Sequence, residues 1–502
     1  MIRRVLLVLG VLGVLLLLVS LLPDGPSGTE PDDPLDAPVY VASGDAASST
    51  WFCAAADAGT PNPSSHVVSL SNPGGEPLAA RVTSYGAPGT EPAVVEVEVP
   101  AHSVVPIGAD RFGGAQPGSV AVSANGLLLA SHRLIGDGAS DEAVCSSRGS
   151  GTWYFPAAYS FNSGSLPAGS ARLWVFNPFT SDASIDVTIV TEAGVRRPGE
   201  LTGVVIGAGA ARAIELGEVA QRREQFAAVV ETRSGRVVAE LAQATDGTST
   251  APRGLRIQTG IPRAAERWVF PDSEGVEGVA EQLIVHNPAP DPITVQVAVR
   301  PDGADPAAYP DPFVLDVPGR RYAILDLSSE TRLPPVGART ITIDTDAATG
   351  VVAQRVVSVR GSGGWPLSSG TANSSGITVE ATRWWIPRVD QAAPGRSILR
   401  LVNTSEDSIA VVEIAASAGG SVTPAEDVTR VEVPAGRAVT VDAGAFAAPD
   451  VPATLTLTAS RPVVVERRAF SSADTDLWVV PGVADRSGSR PAGSLPSVLE
   501  PG

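Results

Sequence analysis

Trp153-Tyr154-Phe155-Pro156, Trp268-Val269-Phe270-Pro271, Trp384-Trp385-Ile386-Pro387 and Trp478-Val479-Val480-Pro481 all read W-x-x-P, and Trp51-Phe52-Cys53-Ala54 is a degenerate first copy. Successive tryptophans are 102, 115, 116 and 94 residues apart. Recurrence at such a period marks a chain built from repeated units, each a small supersecondary assembly.

Further landmarks keep one order inside every period. An apolar strand ends in Asn, as in Val67-Val68-Ser69-Leu70-Ser71-Asn72, Leu173-Trp174-Val175-Phe176-Asn177, Leu283-Ile284-Val285-His286-Asn287 and Leu399-Arg400-Leu401-Val402-Asn403. Pro73, Pro178 and Pro288 follow three of them, and Asn-Pro starts turns. Alternating stretches such as Ile185-Asp186-Val187-Thr188-Ile189 come next, with the period of two that half-buries a strand. A strand then breaks at a small or Pro turn, as in Val97-Glu98-Val99-Pro100, Leu315-Asp316-Val317-Pro318 and Val431-Glu432-Val433-Pro434. The last landmark is an apolar strand with one polar slot, at Ser131, Glu240, Gln354 and Glu466. This is the strand content of an antiparallel β-sandwich, about six to eight short strands per period. Five Trp strands for four modules imply that the copy at Trp478 closes a sheet, so that such strands lie at junctions.

Composition agrees. The 502 residues carry 51 Gly and 43 Pro, are 43% hydrophobic and only 18% charged. That disfavours a largely helical protein. With 36 Lys+Arg against 54 Asp+Glu the net charge is −18, and every basic residue is Arg. Such a surface repels phosphate backbones, so no nucleic-acid partner is expected. The acidity is read as a solubility device.

Met1-Ile2-Arg3-Arg4 precedes Val5–Leu22, 18 residues without a charge. As a helix these reach about 27 Å, close to the hydrocarbon thickness of a bilayer. A cleaved signal has a shorter core and a small-x-small site, whereas this run ends Ser20-Leu21-Leu22-Pro23, so an uncleaved anchor is favoured. Arg3 and Arg4 stay inside by the positive-inside rule, placing the rest of the chain outside the cytoplasm. The Pro-, Gly- and Asp-rich residues 23–50 read as a flexible stalk. Cys53 and Cys145, the two cysteines, are expected to form one disulfide within the first module. The rival reading is a catalytic Cys, for which His66, His102, His132 and His286 are the available imidazoles, none near either Cys in sequence.

The landmarks and the N-terminal anchor resemble the membrane-anchored, secreted actinobacterial proteins of domain of unknown function 5719, over roughly residues 50–482. The resemblance implies an envelope-facing β protein and carries over no catalytic residues.

No G-x-S-x-G elbow, H-E-x-x-H, Walker loop or EF-hand loop occurs in the chain. No enzyme activity, cofactor or dedicated metal site is expected; Asp302-Gly303-Ala304-Asp305 lacks the regularity of a calcium loop. Of the eight Trp, the five landmark ones read as core. Trp365, in Gly361-Ser362-Gly363-Gly364-Trp365-Pro366, is expected to be incompletely buried and is the candidate ligand contact.

The expected architecture is all-β: four tandem antiparallel β-sandwich modules behind an N-terminal transmembrane helix. Its boundaries are 1–22 (anchor), 23–50 (stalk), 51–152, 153–267, 268–383 and 384–485 (modules 1–4) and 486–502 (disordered tail). The expected function is a single-pass membrane-tethered, extracytoplasmic scaffold or interaction protein of the bacterial cell envelope, non-catalytic, with envelope proteins as partners. The alternative is a carbohydrate-binding surface protein that recognises envelope glycan.

Overall fold

The computed structural model describes residues 41–492 except 45, 60–63, 87–88, 137, 161, 164–165, 168, 249–250, 362–363, 425–426 and 471–476. The anchor, most of the stalk and the end of the tail lie outside the described residues. Among the described residues no helix is long and apolar enough to cross a membrane.

The chain folds as all-β, in antiparallel sheets. In module 1 the eight strands are Ser49–Cys53, Ser65–Asn72, Leu78–Tyr85, Ala93–Val99, Ser103–Ile107, Ser119–Ala124, Leu129–Gly136 and Ala139–Val144. Strands one, six, three and four form one sheet in that order, and strands five, two, seven and eight the other. Modules 2 and 3 repeat this order. Module 4 repeats it with a single long strand, Ala453–Phe470, serving as strand six in one sheet and strand seven in the other.

The landmarks hold each sandwich together. The tryptophan of strand one is buried, and its indole N–H donates to the carbonyl at the start of strand seven: Trp51 to Leu128, Trp153 to Val237, Trp268 to Val351 and Trp384 to Val463, at 2.6–3.0 Å. A buried Trp is tolerated because its one polar atom is satisfied. The Asn ending strand two pins the next turn and the end of strand four. Asn177 Nδ2 donates to Ser181 O and Ile206 O while its Oδ1 accepts from Phe179 N. Asn72, Asn287 and Asn403 make the same three contacts.

Strand eight is Ala139–Val144, Gly254–Thr259, Ser369–Ser375 or Leu477–Pro481 in modules 1–4. Each packs against the strand eight of both neighbouring modules, and that of module 4 packs against that of module 1. The four modules therefore close into a ring. The residue after each landmark tryptophan faces outward from its own sandwich and enters the core of the next. Phe52 packs into module 2, Tyr154 against module 3, Val269 into module 4 and Trp385 into module 1. This explains the apolar pair that opens every module: one residue serves the module, the other the ring.

The structure refines one sequence expectation and corrects two. Trp478 closes a sheet at a junction as its place in the count implied, but as strand eight of module 4 paired to Ala453–Phe470, not as a copy of strand one; its indole N–H donates across the seam to Ser140 O of module 1 at 2.9 Å. Its W-x-x-P is a coincidence of pattern, and four true Trp strands serve four modules. The tail expected to be disordered from Arg486 is ordered through Ala492, with Ser489–Pro491 paired to strand one of module 4. At the other end, Val41–Ala42, placed in the stalk by the sequence, pairs in parallel with Ala484–Asp485. The N-terminal end of the described chain thus lies at the seam between modules 4 and 1, while the C-terminal end runs along strand one of module 4 toward module 3, where Ala492 O accepts from Arg267 at 3.1 Å.

Cys53 and Cys145 form a disulfide with Cα atoms 4.7 Å apart. The repeat shows what it replaces. Register places Cys53 with Phe155, Phe270 and Ile386, and Cys145 with Gly260, Gly376 and Gly482. In modules 2 and 3 the phenyl ring fills the space where a Cβ on the glycine would stand, 2.8 Å from Phe155 Cζ at Gly260 and from Phe270 Cζ at Gly376. Closing a loop of 92 residues stabilises by about 4.6 kcal/mol in the chain-entropy model. We expect a Cys53→Ser/Cys145→Ser double variant to fold and to lose about 2–4 kcal/mol by denaturant titration. A Cys53→Phe/Cys145→Gly variant should recover part of that loss by rebuilding the contact of modules 2 and 3; recovery of nothing would refute the equivalence.

Candidate functional site at the module junctions

The polar slot on strand seven is an inter-module contact. Glu240 Oε2 accepts the Ala55 N–H of module 1 at 2.6 Å, Gln354 Oε1 accepts Ala157 N–H of module 2 at 3.0 Å, and Glu466 Oε2 accepts Asp272 N–H of module 3 at 3.1 Å. Each donor lies four residues beyond the landmark tryptophan, where a neighbouring side chain must satisfy the buried amide. The seam breaks the rule. Its slot residue Ser131 is too short, and Arg388, at the equivalent position, instead sends Nη1 to Ser69 Oγ at 3.1 Å. Arg133 adds ion pairs to Glu142 and Asp390, both 2.9 Å, and sits 4.2 Å from the centre of the Trp478 ring. Burial alone would raise the Asp390 carboxyl, but Arg388 and Arg133 outweigh it and bring it down to about 2.

The junction of modules 3 and 4 holds the densest buried charge. Arg355 Nη1 lies 2.9 Å from Glu281, and its Nη2 lies 3.7 Å from both Asp272 and Glu466. Arg339 pairs with Glu281 at 2.6 Å, and Arg468 with Asp272 at 3.2 Å and Glu274 at 2.7 Å. Burial pushes the Glu466 carboxyl up to about 7, against the pull of Arg355. Trp365 is part of this junction. It is only 8% exposed, its indole N–H donates to Glu274 at 3.1 Å, its ring meets Phe470 edge-on, and the Arg468 guanidinium lies 4.7 Å from the ring centre. Its expected exposure is corrected: the glycine-flanked loop folds back because apolar and ionic partners from module 4 cover the indole. Trp365 does not offer a ring to a ligand.

At the junction of modules 1 and 2 three ionisable side chains line up in full burial. His66 Nδ1 faces the carbonyl oxygens of Gly118 (3.1 Å) and Pro117 (3.4 Å), so that nitrogen carries the proton. Its Nε2 then accepts from His132 Nδ1 at 3.1 Å, and His132 Nε2 stands 3.3 Å from Glu240 Oε2. Burial, followed by the neighbouring His132, lowers His66 to about 3, keeping it neutral. The chain ends on backbone carbonyls and not on a nucleophile, so it braces the 116–118 loop. Neither Cys is beside it as a thiol, because both are spent in the disulfide.

In front of that loop a groove of about 740 Å³ runs between modules 1 and 2. Half-buried Trp174 and Tyr85 line it, with Asp57, Gln116, Arg172 and Arg212. The Trp174 indole N–H donates to Asp57 O at 2.8 Å, and the Tyr85 ring lies 5.0 Å from Phe176. Arg172 is held by Asp57 and Glu215. The sequence missed both aromatics because Trp174 sits inside an apolar strand that reads as core, and Tyr85 ends a mixed strand on the outward face of Arg81 and Thr83, which reads as solvated.

On the ring axis all four strand-eight segments border a cavity of about 60 Å³, walled by Val144, Ile257, Ile261, Val480 and Asn373 among others. Among the described residues no group of three or more His, Cys, Asp and Glu is arranged to hold a metal ion.

His286, buried in strand two of module 3, lies 5.9 Å from the Tyr154 ring of module 2, and burial lowers it to about 4. A base depressed on folding contributes stability that is full above its unfolded value of about 6.5 and is lost as pH falls toward 4. Module 2 has Phe176 at this position. His286→Phe should therefore gain about 2 kcal/mol relative to the native chain between pH 7.5 and pH 5, read from paired urea titrations; parallel pH profiles would refute it.

Comparisons with known proteins are few. Residues 160–271 match the model of a family described as Family of unknown function (DUF5719). That span is one repeat, from the end of strand one in module 2 to strand one of module 3. No curated protein matches the chain. The crystal structure of Thermotoga maritima 1070 matches at 17% identity over 23% of this chain and 94% of that one, with a TM-score of 0.19, too slight a likeness to carry a fold argument.

Proposed function

We propose that the protein is a membrane-tethered, extracytoplasmic scaffold or interaction protein of the bacterial cell envelope, built as a ring and without catalysis. The observation that carries this reading is the use of buried ionisable groups. Glu240, Glu466, Arg355, Arg468 and Arg467 all join one module to the next. Interfaces that hold fixed geometry this way suit a rigid platform. The Cys53–Cys145 disulfide supports an oxidising compartment, and the 18-residue apolar run supports the tether.

Protease treatment of intact and disrupted cells tests the placement. The ring should be cleaved from, or degraded on, intact cells. Protection until disruption would place it inside and defeat the proposal.

A further inference from the structure

We propose that the groove between modules 1 and 2 is a binding site for a neutral oligosaccharide, with sugar rings resting on Trp174 and Tyr85. The proposal extends the scaffold reading to a ligand and does not depend on where the ring is tethered.

The first argument is broken symmetry. Residues needed to fold each sandwich recur in every module, as the tryptophan and asparagine positions do. Trp174, three residues before the strand-two Asn, corresponds to Ser69, Ile284 and Arg400, all buried at their own junctions. Tyr85, three residues after the core position that register pairs through strands three and six, corresponds to Val190, Arg300 and Ser417. Two aromatics that remain half-buried in one groove, at one of four equivalent junctions, are not required by the repeat.

The second argument is preorganisation. The indole is fixed by its bond to Asp57 O, and the phenol ring is packed on Phe176. The opposite wall, residues 116–118, is braced from behind by His66, His132 and Glu240, of which His66 N also donates to Gln116 Oε1 at 3.1 Å. Rigid aromatic surfaces bind at small entropic cost.

Chemistry chooses the ligand. The groove volume of about 740 Å³ is in the range of small-molecule sites. Its charges balance, because Arg172 and Arg212 stand with Asp57 and with Glu215, which Arg172 contacts. A neutral ligand that combines apolar faces with many hydroxyls matches aromatic walls edged by guanidinium, amide and carboxylate groups. A proline-rich peptide also docks on aromatic grooves, but its backbone carbonyls would need donors, and the Trp174 N–H is already engaged by Asp57.

The test probes the full extracytoplasmic chain, native and variant, on an array of neutral and charged oligosaccharides and, in parallel, on proline-rich decapeptides. The native protein should capture neutral oligosaccharides. Trp174→Ala should weaken capture at least tenfold, and so should Arg212→Ala, whose exposed side chain can be removed without disturbing the core. Trp365→Phe should bind as the native chain does. Melting curves for each variant separate loss of the site from loss of the fold. Capture of peptides alone, of charged glycans alone, or of nothing would overturn the proposal, as would native affinity in folded Trp174→Ala and Arg212→Ala. Failure here leaves the protease result on placement untouched, so the two readings fail separately.

Discussion

Trp268→Ala should destabilise the ring by about 4–8 kcal/mol. Truncating a buried Trp costs about 3–5 kcal/mol through lost burial and the cavity left behind. The Val351 carbonyl, which accepts the indole N–H at 2.9 Å, would lose its partner in a dry core, adding about 1–3 kcal/mol. The damage should spread, because Trp268 also packs over Gly376 and its neighbour Val269 sits in the core of module 4. Hydrogen exchange should therefore show lost protection in modules 3 and 4 before modules 1 and 2. Trp478→Ala should differ in place rather than kind, loosening the seam where Arg133 and Ser140 hold the ring. A loss below about 2 kcal/mol for Trp268→Ala, or exchange confined to module 1, would contradict the assigned role.

Arg355→Met should cost about 3–5 kcal/mol at neutral pH, the usual penalty for removing one partner of a buried charge cluster. The side chain is 1% exposed, and its loss leaves Glu281, Asp272 and Glu466 with only Arg339 and Arg468 as counter-charges. The pH dependence identifies the cause. Glu466 is already raised to about 7 by burial, with Arg355 pulling it down. Without Arg355 it rises further. An acid raised on folding binds its proton more tightly in the native state, so the variant regains stability as pH falls. The destabilisation should be smaller at pH 6 than at pH 8. Adding Glu466→Gln should relieve part of it at pH 8, because Gln354 fills the equivalent slot with a neutral amide and still accepts the facing N–H. Equal losses at both pH values would assign the effect to packing instead of charge.

The sequence by itself determined the module. Trp strand, Asn turn, V-x-V break and slot strand are local patterns, set by side-chain alternation and turn chemistry, and repetition made each legible four times. The disulfide was legible too, because one pair of cysteines at the two ends of one module leaves a single pairing. What lay outside the module was not. Trp365 reads as a loop residue because its partners, Phe470 and Arg468, are more than a hundred residues away in module 4. Trp478 was legible as a sheet-closing strand at a junction, but only its hydrogen bond to Ser140 shows that the junction is the seam with module 1. The slot residues Glu240, Gln354 and Glu466 look like solvent-facing exceptions in apolar strands until the preceding module presents a buried N–H to each. Trp174 sits in an apolar run that reads as core and Tyr85 on the outward face of a mixed strand, and only the apposition of two modules brings them together, half-buried, in one groove. Periodicity reports which face of a strand is buried within a few residues. Which module then covers the other face depends on contacts across the chain, and only closure of the ring settled it.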